Sequence, residues 1–223
     1  MSFINDLKTD QRTQILIGGI VFFAIAFPVY FSIAADGVES FSGDGPIGTY
    51  EVTGEYSYHV IGSGSEYVNN NEEANIIVNS DAAGDEIKGK NIVGVRATLS
   101  FSDDEQGTGI ACTGYDSADD DVTGHLMYVS FEESSQVQSG ESVMIEWHDS
   151  SIVGTTVENM SESMIEMLLD GMGIGLGEHM LDIGVSVNTG GGTGLCGSDD
   201  EGEQVDYVIE LISLDYTITY IEE

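Results

Sequence analysis

The sequence predicts a mainly β protein: an N-terminal transmembrane helix followed by one antiparallel β-sandwich domain with a single inserted α-helix. Three observations predict it. Ile15 to Ala35 (ILIGGIVFFAIAFPVYFSIAA) is a continuous apolar run. Beyond it, apolar and polar residues alternate in segment after segment, with turns rich in Gly, Asn, Asp and Ser between them. One stretch, Glu158 to Asp170, switches to helical spacing.

Residues 1–14 (MSFINDLKTDQRTQ) form a short polar leader. The run 15–35 is twenty-one residues long. At ~1.5 Å of rise per residue, a helix of that length crosses a hydrocarbon core of ~30 Å. A cleaved signal peptide is the alternative, and Ser32-Ile33-Ala34 offers a small-x-small site. Its apolar core, however, is ~7–15 residues long, shorter than this run. A buried core helix would show one apolar stripe, whereas here every face is apolar. Lys8 and Arg12 precede the run, and no Lys or Arg follows until Lys88. The positive-inside rule then puts the N-terminus in the cytoplasm and the large C-terminal part outside the cell membrane.

Residues 36–48 (DGVESFSGDGPIG) read as a spacer, and 49–223 as an acidic β-sandwich ectodomain. Thr49–Ile61 alternates, with Tyr50, Val52, Tyr56, Tyr58 and Val60 on one face. Gly62–Glu73 reads as a loop, and Ala74–Val78 as a shorter strand. Asn91–Ser102 places Val93, Val95, Ala97, Leu99 and Phe101 inward. His125–Glu132, Ser142–His148, Met180–Val187 and Val205–Ile221 complete a set of about seven strands. In Glu158–Asp170, Met160, Met164, Met167 and Leu168 form the expected core stripe, and Gly171 the stop.

The chain carries 40 Asp and Glu against 5 Lys and Arg, a formal charge of −35. That charge repels nucleic acid and anionic headgroups, so no nucleic-acid partner is expected. With 41% hydrophobic and 9% aromatic residues, the acid coats a folded body and does not signal disorder. The composition resembles that of proteins from salt-adapted or marine archaea, in which screening by salt removes self-repulsion.

Cys112 and Cys196, an even count in an exported domain, predict one disulfide, with free or metal-binding thiols as the alternative. Asn159-Met160-Ser161 is an N-glycosylation acceptor triplet at Asn159. Three acidic loops offer oxygen ligands, and Asp103, Asp104, Asp119, Asp121, Asp199 and Asp200 are the candidate calcium ligands. No loop has the spaced D-x-[DN]-x-[DN]-G frame, which weakens the calcium reading; no cofactor other than Ca2+ is expected, and a diffuse cation atmosphere is its rival. His59, His125, His148 and His179 fall in different segments with no zinc spacing, and neither cysteine is followed by copper-site ligands. Gly192-Thr193-Gly194-Leu195-Cys196-Gly197 matches G-x-G-x-x-G, but the following Ser198-Asp199-Asp200-Glu201 would repel phosphate. There is no G-x-S-x-G elbow and no S-x-x-K. Lys88, Lys90 and Arg96 are expected to guard a strand edge.

The expectation is therefore a single-pass membrane-anchored surface protein, not an enzyme. Its exported acidic sandwich would act as a binding or accessory module with protein partners in the envelope. Two alternatives stay open. One is an exported cation-binding protein. The other is a filament or surface-layer subunit, because the join of apolar N-terminal helix to β-sandwich resembles archaeal pilins. Arg12-Thr13-Gln14 stands where those proteins carry a basic residue, Gly and the processed start, with Thr13 in the Gly position.

Overall fold

The structure, a computed structural model, describes residues 45–102, 120–188 and 201–222. The predicted membrane span 15–35, Cys112, Cys196, and the calcium candidates Asp103, Asp104, Asp119, Asp199 and Asp200 lie outside the described residues. Among the described residues no helix is long and apolar enough to cross a membrane. Ile47–Glu223 forms a compact unit.

Within it the protein is mainly β. Nine strands are described: β1 Gly48–Asn69, β2 Glu73–Asn79, β3 Ile92–Ser100, β4 Asp121–Tyr128, β5 Phe131–Val137, β6 Ser142–Glu146, β7 Thr156–Met160, β8 Glu178–Ser186 and β9 Gly202–Ile221. One α-helix, α1, spans Glu162–Leu169, and two 3₁₀ segments span Ser80–Ile87 and Ser150–Ile152. The strands make two antiparallel sheets in a sandwich-like arrangement, ordered β6-β3-β9-β1-β7 and β2-β8-β4-β5.

The long pair β1–β9 is the backbone of the larger sheet, running in register from Thr49↔Ile221 to Asn69↔Gly202. The stretch Gly62–Asn69, expected to be loop, is therefore strand. Its GSGSEYVN composition has little strand propensity of its own, and pairing with β9 supplies what propensity does not. A bulge between Val60 and Gly62 interrupts the register. Before it Tyr50 and Val52 point to one core, and after it Val68 points to the other, because one extra residue reverses a period of two. Tyr58 and Val60, expected inward, are 45% and 49% exposed. They lie on the same face as Ile212 but are not part of the cluster under α1, and there the Arg96 guanidinium sits 3.6 Å from the Tyr58 ring centroid.

β9 shows how both faces of this sheet are used. Val205, Ile209 and Leu211 pack between the two sheets with Val95, Leu99, Leu126 and Leu181. Ile212 and Leu214 face the opposite way, under α1, with Tyr50, Val52, Val93, Ile165 and Leu169. Leu211 and Ile212 are adjacent and both essentially buried, which requires cover on both sides.

α1 is shorter than expected and rotated. Residues 156–160 are taken by edge strand β7, which pairs with β1. The helix begins only after Ser161, whose Oγ accepts the N–H of Met164 at 3.4 Å. Its inward stripe is Ile165 and Leu169, both 0% exposed, and not the methionines: Met164 and Met167 are 48% and 63% exposed. The spacing i, i+4 remains the helical one; starting the helix later moves the stripe by one residue.

β5 corrects a second expectation. The segment His125–Glu132 is not one strand but the β4–β5 hairpin, turning at Val129, which takes φ 54°. Nor do the basic residues guard an edge, since β3 lies between β6 and β9 and Lys88 and Lys90 precede it.

Candidate functional site

A concavity of about 900 Å³ opens where the 3₁₀ segment, the start of β3 and the loop after α1 meet. Each wall has a local cause. Asn79 caps the 3₁₀ segment by accepting the Asp81 N–H at 2.9 Å, and Ala83 and Ile87 bury its inner side. Gly84, at φ 58° and ψ −129°, kinks it in a conformation that side chains rarely adopt. Ser80 ties this wall to the next, donating its N–H to the Gly177 carbonyl and accepting the Gly177 N–H at its Oγ, both at 2.8 Å.

The loop 170–177 forms the second wall. Asn91 holds its beginning: Nδ2 donates to the Leu169 carbonyl at 2.9 Å, and Oδ1 accepts the Gly171 N–H at 2.7 Å. Its far end is held by Tyr128, whose hydroxyl accepts the Gly175 N–H at 2.8 Å and donates to the Leu176 carbonyl at 3.0 Å. His179 completes the support. It stacks on Tyr128 with centroids 4.3 Å apart, and its Nε2 lies 3.0 Å from the Gly175 carbonyl. A carbonyl only accepts, so Nε2 carries the proton and Nδ1 is a bare acceptor. That Nδ1 is buried and has no partner among the described residues. Burial holds the imidazole below the ordinary histidine value, and the Gly175 carbonyl offsets this only in part.

The chemistry of the cleft is mixed. Lys88 and Lys90 both line it, together with Asp81, Asp85 and Asp170. Lys90 is engaged by Asp215 at 2.9 Å, while Lys88 has no ion pair among the described residues. Tyr216 lines the same space, and its phenol is held above the ordinary value by burial, then by the charges of Glu166 and Asp170. Ile87 and Ile92 add buried apolar surface, and Ile174 and Leu176 the opposite apolar side.

A second concavity, about 720 Å³, is lined by Asp120, Asp121, Gln136, Gln138 and Glu141 among others. Asp121 is the described member of the calcium set; it opens β4, and its Oδ1 accepts from Gln136 Nε2. Asp120 is buried, and its Oδ1 accepts the Asn188 N–H at 2.7 Å. Among the described residues no group of three or more His, Cys, Asp or Glu is placed to hold a metal ion. Asn159 is exposed in β7 at φ 59°, which asparagine tolerates.

The four histidines sit apart. His59 Nε2 contacts Ser213 Oγ at 2.9 Å, but Ser213 is 0% exposed, so no substrate carbonyl could reach that hydroxyl. His148 donates from Nδ1 to the Val93 carbonyl at 3.3 Å and accepts the Tyr56 hydroxyl at Nε2, 2.9 Å away. His125 lies between Glu132 at 3.8 Å and Asp182 at 4.0 Å.

Of the cleft's residues, sequence reasoning singled out Lys88 and Lys90, and only as guards of a strand edge. The available signal was that Lys88 and Lys90, two of five basic residues in the chain, stand beside glycines 84 and 89.

No protein-family model matches this chain, and no curated protein matches it.

Proposed function

We propose that the chain is a membrane-anchored surface protein whose exported acidic β-sandwich is a non-catalytic binding module, with the 900 Å³ cleft as its binding site. The observation that carries this is the cleft. Its volume falls in the range of ~300–1,000 Å³ typical of sites for drug-sized ligands. Its walls are fixed by Asn91, Tyr128 and Ser80, so it is formed before a ligand arrives. It combines apolar surface with a few polar groups that orient a ligand. The anchor and the outward orientation are supported by the apolar run 15–35 and the Lys8/Arg12 flank.

The binding half is tested by a fragment screen read by protein NMR on the full chain in detergent micelles. Hits that shift Ile87, Asn91 and Ile174 together are expected. Hits scattered over the sheets, with those residues silent, would remove the cleft as the site.

A further inference from the structure

We propose that this cleft takes a short peptide with both termini free, Lys88 and Tyr216 receiving the carboxylate end and Asp81 and Asp85 the ammonium end. The inference rests on the reading of the cleft as a binding site, and adds the class of ligand.

Several polar groups of the cleft are already spent inside the protein. Lys90 is neutralised by Asp215, and both ends of the Asn91 amide are used inside the protein. Asp170 Oδ1 accepts the Met172 N–H at 2.7 Å. Against these, the Lys88 ammonium, the Tyr216 hydroxyl and the Asp81 and Asp85 carboxylates have no side-chain hydrogen bond or ion pair among the described residues. Tyr216 stays protonated well into alkaline pH, because its phenol is held above the ordinary value, and so remains a donor. The cleft thus presents two unused donors that suit an anionic group and two unused carboxylates that suit a cationic one.

Charge then selects among ligands. A chain at −35 repels any anion that approaches, and its field falls off only over about a Debye length of ~8 Å at physiological salt. A purely anionic ligand is therefore opposed. A purely cationic one meets the ammonium of Lys88, which lines the same cleft as Asp81 and Asp85. A zwitterion has no net charge to be repelled, and each of its ends finds an unspent partner. Size selects further. A site of about 900 Å³ is too roomy for one amino acid, and the apolar residues Ile87, Ile92, Ile174 and Leu176 suit a stem of several residues. Peptides are the common zwitterions of that length.

The test is calorimetric titration of the full chain in detergent micelles with tetraalanine bearing free termini, its N-acetylated form, its C-amidated form and the doubly blocked form. Lys88 and Asp85 are exposed, so Lys88→Ala and Asp85→Asn leave the fold intact, which thermal melts verify. Free tetraalanine is expected to bind, and blocking either end to weaken it about tenfold, the scale of a lost charge-assisted bond. Lys88→Ala should weaken the free peptide about tenfold and leave the C-amidated form unchanged. Asp85→Asn should do the same toward the N-acetylated form. Equal binding of free and doubly blocked peptide, or a free peptide indifferent to Lys88→Ala, overturns the zwitterion while the cleft remains a site. If acetate, ethylammonium and all four peptides leave the NMR signals of Ile87, Asn91 and Ile174 unmoved, the cleft reading falls as well.

Discussion

The amide N–H of Gly171 donates to Asn91 Oδ1 at 2.7 Å, and this contact holds one wall of the cleft in place. Asn91 joins three elements at once: Nδ2 reaches the end of α1, Oδ1 the loop after it, and the main-chain carbonyl accepts Leu214 N–H of β9 at 3.0 Å. Gly171 can come this close only without a side chain, because an added Cβ would fall inside the carbonyl oxygen of Ile92. That carbonyl also accepts Trp147 Nε1–H at 2.8 Å, so it cannot move aside freely. Gly171→Ala is expected to destabilise the domain by about 1–3 kcal/mol, as overpacking does. Chemical denaturation checks this; an unchanged midpoint would show that the loop yields.

Asn91→Ala removes two hydrogen bonds and leaves the Leu169 carbonyl and the Gly171 N–H half-buried. The expected loss is about 1–3 kcal/mol for a stranded polar group. Hydrogen exchange locates it: protection should fall at Gly171 and in the last turn of α1, and hold in β4 and β8.

Arg96 crosses the open face of the larger sheet to Glu210, Nε to Oε2 at 2.7 Å, while stacking on Tyr58. Both partners are mostly buried as side chains, at 29% and 15% exposure. Arg96→Lys keeps the charge but loses the planar stack and the Nε hydrogen bond, and is expected to cost about 1 kcal/mol. Tyr58→Leu should cost a similar amount, and the double variant less than the sum. Additive losses in that cycle would show that the stack contributes nothing.

The buried His179 makes stability depend on pH. Its folded-state pKa lies below the ordinary 6.5, so as pH falls below that value the unfolded chain takes up a proton that the folded chain refuses. Stability from this group is complete above about pH 6.5 and declines on the acid side, by at most about 1.4 kcal/mol per pH unit. His179→Phe abolishes this part of the pH dependence. Thermal melts of both proteins between about pH 7.5 and pH 5 should converge toward the acid end; parallel curves would contradict it.

At the alkaline side the sign is opposite in pH. Tyr56 and Tyr216 are held above the ordinary value of 10.0, Tyr56 by burial and then by Glu146 and Tyr58. Above pH 10 the unfolded chain releases these protons first, so stability should decline as pH rises. Following phenolate absorbance alongside unfolding should show both residues titrating late; titration at 10 in the folded protein would remove the effect.

The strands with their own alternation were legible. β3, β6, β8 and β9 fall within a few residues of the segments Asn91–Ser102, Ser142–His148, Met180–Val187 and Val205–Ile221 expected from alternation. What failed depended on partners. The second half of β1 is strand because β9 lies beside it, and β5 (FEESSQV) is a polar edge strand whose sequence reads as loop. The methionine stripe failed because Ser161, a good N-cap, starts the helix later than the periodicity suggested. The cleft was illegible for the same reason. It is made by a kinked 3₁₀ segment, positive-φ glycines and one asparagine, none of which carries a periodic signal.

The most direct test of a displayed binding domain is to label intact cells with a membrane-impermeant, amine-reactive reagent and quantify each lysine by mass spectrometry. The account predicts that Lys88, on the far side of the 15–35 run, is modified from outside while Lys8 is not, and that free tetraalanine protects Lys88. Modification of Lys8 with Lys88 untouched would contradict it.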